Sequence, residues 1–214
     1  MIIIPIVIIL VLGGGSFFLW SIGGEILADQ TMKIKDKIQL SAGIGLNAPP
    51  SSYYVSPPNY ELADISVSTS DNEDNSDALI DYSRAVGEIM SVYNDKEAEN
   101  ELTLVIKAAE KSDPQAASKL KLIATRHAEI VRQLKNLSVP TTVVQIHLNL
   151  VNSLVGLAES SFIMAQIDTM PVVALESAQI YPTRLKKFFT AVNNLNFFLL
   201  ANNVVLPETE RATI

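Results

Sequence analysis

Residues 113–140 read DPQAASKLKLIATRHAEIVRQLKNLSVP, and this stretch contains a complete helix with its start and stop signals. Asp113 can accept hydrogen bonds from the first free N–H groups, and Pro114 fits the first helical position. Pro140 ends the pattern, since proline cannot continue a helix. Between them one face recurs every three or four positions, with Ala117, Leu120, Ile123, Ala124, His127, Ile130, Val131 and Leu134. The stretch therefore predicts one amphipathic helix.

The same helical spacing continues on the C-terminal side of this stretch. It predicts a helix over residues 141–168 and a last helical region from residue 170 to about 204. Pro182 lies inside that last region and should kink or split it, because proline removes one backbone hydrogen bond. The short connections favour antiparallel neighbours.

On the N-terminal side, residues 77–111 predict either one helix or two helices separated near Asn94. No segment longer than a few residues alternates with the period of a strand. We therefore expect an all-α fold, with an antiparallel bundle of four or five helices over residues 77–206. A short C-terminal tail, residues 207–214, follows the bundle.

Residues 25–76 separate the bundle from the N-terminus, and their composition is typical of a juxtamembrane segment followed by a linker. From residue 41 onward this region is rich in serine, proline, asparagine and aspartate. Its paired prolines at 49–50 and 57–58 favour extended backbone. The region contains little periodic apolar sequence to bury, so we expect an extended or disordered linker.

The N-terminus carries the uncharged run IIIPIVIILVLGGGSFFLWSI, which begins at Ile2 and ends at Ile22. As a helix its 21 residues would span about 31 Å, close to the ~30 Å hydrocarbon core of a bilayer. Trp20 lies near the end of the run, where an amphipathic ring suits the headgroup region. Residues 1–24 are therefore predicted to be an uncleaved, single-pass membrane anchor.

A cleaved signal peptide is the alternative interpretation of this run. The apolar region of a signal peptide usually spans about 7–15 residues and follows basic residues, and no Lys or Arg precedes this run. Lys33, Lys35 and Lys37 would favour a cytoplasmic location for the C-terminal side of the anchor, although long domains translocate largely regardless of such charges. The chain has no cysteine, which fits an exported protein. We expect a cell-membrane protein with most of its chain extracytoplasmic.

Sequence signatures of common enzyme chemistry are missing from the chain. It has no Gly-x-Ser-x-Gly elbow, phosphate loop, dinucleotide fingerprint or His-Glu-x-x-His pair. The net charge of −7 argues against a nucleic-acid-binding surface. We therefore expect neither an enzyme nor a bound cofactor.

The two histidines are the candidate metal or haem ligands. His127 and His147 occupy inward positions on adjacent predicted helices, about one helical turn apart in an antiparallel hairpin, roughly 5–6 Å. With Glu129, Met164 or a neighbouring carboxylate they would form a ligand set. The alternative is two core histidines that are each satisfied by hydrogen bonds.

The last two helices are the candidate interface. Residues 141–181 contain three acidic residues and no Lys or Arg. Five phenylalanines add apolar surface to these helices: Phe162, Phe188, Phe189, Phe197 and Phe198. This surface is either buried inside a monomer or used for self-association or a protein partner. The sequence thus favours a structural or binding component of an envelope, surface or secretion assembly. The alternative is a small-molecule-binding ectodomain in which the kinked last helix shapes a pocket.

Overall fold

The computed structural model describes residues 61–68, 75–94 and 99–204, and these residues are mostly helical. The five α-helices of these residues are α1 (Asn75–Met90), α2 (Glu101–Ala109), α3 (Ala116–Lys135), α4 (Val144–Met164) and α5 (Pro171–Ala201). Short 3-10 turns occupy Leu62–Asp64, Ser91–Asn94 and Thr141–Val143. The predicted all-α class is confirmed. The predicted anchor, most of the predicted linker and the tail at 207–214 lie outside the described residues.

The first helical region divides into two helices, as one of the two sequence interpretations expected. α1 ends at Met90 and passes into a 3-10 turn. α2 then starts from its own cap, since Asn100 Oδ1 accepts a hydrogen bond of 2.9 Å from the Leu102 N–H. α2 ends with Lys111 at φ 55°, the left-handed conformation that closes many helices.

The start signal of α3 acts one turn ahead of the helix itself. Asp113 Oδ1 accepts a hydrogen bond of 2.8 Å from the Gln115 N–H, and regular helix begins at Ala116. α5 starts with Pro171 in its first turn, as predicted. Pro182 does not split α5, which continues on both sides of it to Ala201.

The helix α4 is central, with its most extensive contacts to α5 and α3. Both neighbours run antiparallel to it: Leu134 of α3 meets His147, and Arg184 of α5 meets Gly156. The inner face of α4 is almost fully buried along its length, with Leu150, Val151, Leu154, Leu157 and Met164. These residues form the centre of one core shared by all five helices.

The segment Thr141–Met164 is also long and apolar enough to cross a membrane by length and composition, with a mean hydropathy of 1.2. Of its apolar window, 44% is buried inside the domain. The core helix of a water-exposed bundle has the same length and composition. Its packing against α3 and α5 accounts for the apolar residues of its inner face.

Residues 61–68 form a strap that packs on the bundle. Val67–Ser68 (β1) pairs in parallel with Val139–Pro140 (β2), which lies between α3 and α4. The Val139 N–H donates to Ser66 O at 2.8 Å, and Ile65 is buried in the core. Packed structure thus reaches back into the range assigned to the linker. Ile65 and Val67 alternate with serines over too few residues to predict this contact from the sequence.

Candidate binding groove and buried polar cluster

An open groove of about 860 Å³ lies between α4, α5 and the strap. Its volume is within the range of about 300–1,000 Å³ typical of ligand sites. Six of its eleven lining residues carry a side-chain amide or hydroxyl. The lining residues are Gln145, Leu148, Asn149, Asn152 and Ser153 from α4, Lys187, Thr190, Ala191 and Asn194 from α5, and Glu61 and Ala63 from the strap. The groove therefore offers many neutral donors and acceptors and few charges.

Helical spacing places these side chains on facing surfaces. Gln145, Asn149 and Asn152 stand at i, i+4 and i+7 on α4, and Lys187 and Asn194 are seven residues apart on α5. Residues seven apart lie on the same helix face, so each helix presents one polar row to the groove. Buried Leu148 and Ala191 connect these rows to the core.

The two charged groups of the groove have no ion-pair partner among the described residues. Glu61 comes from the strap and Lys187 from α5, and both are exposed. The neighbouring Lys186 is also exposed but does not line the groove. The groove therefore presents one anionic and one cationic group that are both available to a ligand.

The two ends of the α4–α5 interface differ in chemistry. Phe197, one turn beyond Asn194, is 71% exposed. At the other end Arg184 Nη1 donates to Gly156 O at 2.8 Å and to Ser160 Oγ at 2.9 Å. The same nitrogen lies 2.6 Å from Glu159 Oε2. An aromatic ring therefore borders one end, and an arginine that is ion-paired with Glu159 closes the other.

A cluster of polar side chains from several helices lies inside the bundle, centred on His127. His127 Nδ1 lies 3.2 Å from Ser161 Oγ, and its Nε2 lies 3.8 Å from Glu101 Oε1. The Tyr93 ring packs against the imidazole with a centroid distance of 5.6 Å. Burial lowers the pKa of His127 to about 4. The imidazole is therefore neutral at physiological pH.

Burial also disfavours the charged forms of the other titratable groups in this cluster. Burial raises the pKa of Glu101, against the effect of a hydrogen bond from Tyr181. Burial raises the pKa of Tyr181 well above its usual range, and the nearby Glu101 carboxylate adds to this. The buried Tyr93 hydroxyl has no hydrogen-bond partner in the described part of the chain. Burial thus disfavours the charged forms of His127, Glu101 and Tyr181 in this cluster, which ties helices together.

His147 belongs to a different set of contacts. Its Nδ1 lies 2.9 Å from Tyr82 Oη, and its Nε2 lies 3.0 Å from Leu134 O. Both of its ring nitrogens are thus engaged, and it shares no hydrogen-bond partner with His127. Within residues 61–68, 75–94 and 99–204, no group of three or more His, Cys, Asp or Glu side chains is placed to hold a metal ion.

The five phenylalanines of the candidate interface divide into exposed and packed residues. Phe162 is 56% exposed and Phe197 is 71% exposed. Phe188 is buried, and Phe189 and Phe198 are partly buried against the core. The antiparallel pairing of α4 with α5 puts Phe162 and Phe197 near opposite ends of the hairpin, so they do not form one continuous patch.

The groove was not predicted from the sequence. Its signal was the polar row on α4, at Gln145, Asn149 and Asn152, within a helix that is otherwise weakly charged. The row is visible only once the partner helix and the strap are known. Comparison with known proteins adds no further assignment, since no family model, curated protein or solved structure matches the chain.

Proposed function

We propose that this chain is a single-pass, membrane-anchored protein whose extracytoplasmic helical domain acts by binding. It would serve as a structural or binding component of an envelope, surface or secretion assembly. The observation that carries the binding role is the open α4–α5 groove, with exposed Phe197 beside it. A large exposed aromatic residue next to a polar concavity is typical of a recognition surface.

The membrane role rests on the uncharged run from Ile2 to Ile22. The full-length chain is expected to stay with the membrane fraction after high-salt and carbonate washing. Deletion of residues 1–24 should release the remainder into the soluble fraction. Recovery of a processed soluble protein that begins near Gly24 would contradict the anchor.

The binding role is tested by a photo-crosslinking residue in the full-length chain in the cells that produce it. p-Benzoylphenylalanine in place of Phe197 should give a discrete adduct, either with a partner or with a second copy. The control position is Leu122, which is 55% exposed on α3 and does not line the groove. Equal adducts at both positions, or none at Phe197, would argue against recognition at the groove.

A small-molecule-binding ectodomain is the second candidate, and the polar lining of the groove favours it. A ligand that binds only the folded state raises the melting temperature in a concentration-dependent way. Screening the full-length chain by thermal shift separates the two candidates. A large shift with one small molecule, lost on Asn149→Ala, favours the small-molecule role.

A further inference from the structure

The side-chain amides of the groove match the hydrogen-bonding groups of a peptide backbone. Gln145, Asn149, Asn152 and Asn194 each carry one carbonyl acceptor and one amino group that donates. A peptide bond presents the same pair, one N–H donor and one C=O acceptor. Three amides on α4 and the single amide of Asn194 on α5 can therefore bond the two edges of an extended chain.

The length of the groove sets the size of such a chain. From Gln145 to Ser153 the axis of α4 rises about 12 Å at 1.5 Å per residue. An extended peptide advances about 3.3 Å per residue, so three or four residues fill this length. The rise between Gln145 and Asn149, about 6 Å, is close to the repeat of alternate residues in an extended strand.

The two charged side chains of the groove indicate which charges the ends of the bound peptide carry. Glu61 and Lys187 line the same groove with opposite charge and have no ion-pair partner among the described residues. A short peptide with free termini carries one ammonium and one carboxylate and complements both groups. A neutral saccharide could use the amides but would leave these two charges unmatched.

We infer that the groove binds a short peptide of three or four residues in extended form, with its free ammonium at Glu61 and its free carboxylate at Lys187. This inference rests on the proposed binding function and names the class of ligand. The backbone of the peptide bonds to the amides of α4 and to the amide of Asn194 on α5. Its side chains alternate in direction, so one set points out of the open groove and the other faces buried Leu148 and Ala191, where small side chains fit.

Tetra-alanine is the probe, because its small side chains leave the backbone and termini to supply the affinity. Binding is measured by calorimetry on the full-length chain in lipid nanodiscs. The free peptide is compared with its N-acetylated, C-amidated and doubly capped forms. Each cap is expected to weaken binding about tenfold, since each removes one charge-assisted contact.

Adjacent residues provide matched controls for the groove side chains. Lys187→Gln should weaken binding of the free peptide about tenfold and abolish the difference between the free and C-amidated forms. Lys186→Gln removes the same charge one residue away and should leave binding unchanged. Asn194→Ala should weaken all four peptides, whereas Asn193→Ala should affect none, since Asn193 is exposed outside the groove.

Three outcomes would overturn the inference. These are equal binding of the free and doubly capped peptides, no binding at millimolar peptide, and binding that Lys187→Gln and Asn194→Ala leave unchanged. Cellotetraose, a neutral tetrasaccharide, is the competing probe. If it binds in an Asn194-dependent way and tetra-alanine does not, the ligand class is wrong while the proposed binding function stands. The Phe197 crosslink tests that function independently of either probe.

Discussion

Glu101 Oε1 lies 3.8 Å from His127 Nε2 inside the bundle, and burial opposes charge on both groups. It raises the pKa of the carboxyl and lowers the pKa of the imidazole to about 4. The two groups therefore make opposite contributions to the pH dependence of stability. As the pH falls, protonation of Glu101 favours the folded state and protonation of His127 favours the unfolded state.

The first prediction concerns His127 and acid. Its pKa is about 4 in the folded chain, against about 6.5 when unfolded, so the unfolded chain binds more protons between these values. Above about pH 6.5 His127 does not lower the free energy of unfolding. As the pH drops toward 4 it lowers this free energy progressively, by a few kcal/mol at most. His127→Asn should flatten this decline, as measured by urea unfolding of the full-length chain at a series of pH values.

Glu101→Gln is the control of opposite sign. Because the pKa of Glu101 is raised by folding, its protonation makes the folded state relatively more stable as the pH falls. The amide cannot take up that proton, so the acid decline should become steeper than in the unmodified chain. Parallel pH profiles for the unmodified chain and both variants would show that this pair is not buried as described.

The second prediction contrasts two buried tyrosine hydroxyls. Tyr82 Oη lies 2.9 Å from His147 Nδ1, whereas the Tyr93 hydroxyl has no partner among the described residues. Tyr82→Phe should cost about 1–2 kcal/mol of unfolding free energy, because it leaves a buried ring nitrogen unsatisfied. Tyr93→Phe should be neutral or stabilising, because it removes an unpaired polar group. Chemical denaturation of both variants checks the order, and equal losses would contradict it.

The third prediction separates core from surface on the last helix. Phe188 is 3% exposed and Phe197 is 71% exposed. Phe188→Ser should destabilise the domain by more than about 3 kcal/mol, and Phe197→Ser by less than about 0.5 kcal/mol. The melting temperatures of the two variants, measured by thermal unfolding, check this difference in stability. If association uses this helix, Phe197→Ser should also lower the sedimentation coefficient at high concentration, without a loss of helix signal.

The fourth prediction concerns the end of α2. Lys111 has φ 55°, a conformation that glycine adopts without steric cost. Lys111→Gly should therefore stabilise the domain by up to about 1 kcal/mol. Lys121→Gly removes an equal charge from the exposed interior of α3 and should destabilise by about 1 kcal/mol. Shifts of the same sign in the denaturation midpoint would argue against the described end of α2.

The helices were predictable because their signals are local. Asp113 and Pro171 mark starts that the structure contains, since caps and first-turn prolines act within one turn. Pro114, predicted at the first helical position, lies instead in the turn two residues before α3. The groove and the His127 cluster were not predictable, because they depend on which faces meet. Neither the 3.8 Å approach of Glu101 to His127 nor the strap position of Glu61 leaves a periodic trace in the sequence.

The strap has a kinetic consequence. Val67 pairs with Val139, so this pairing closes a loop of about 70 residues, whereas the helical hairpins close through short turns. Contacts so distant along the chain form after local ones. Until the hairpins exist, the strap has no surface to pack on, and few contacts offset the entropy lost when the loop closes. We therefore expect the strap to join last and to leave first. Loosening it, as in Ile65→Ala, should speed unfolding while the folding rate stays nearly constant.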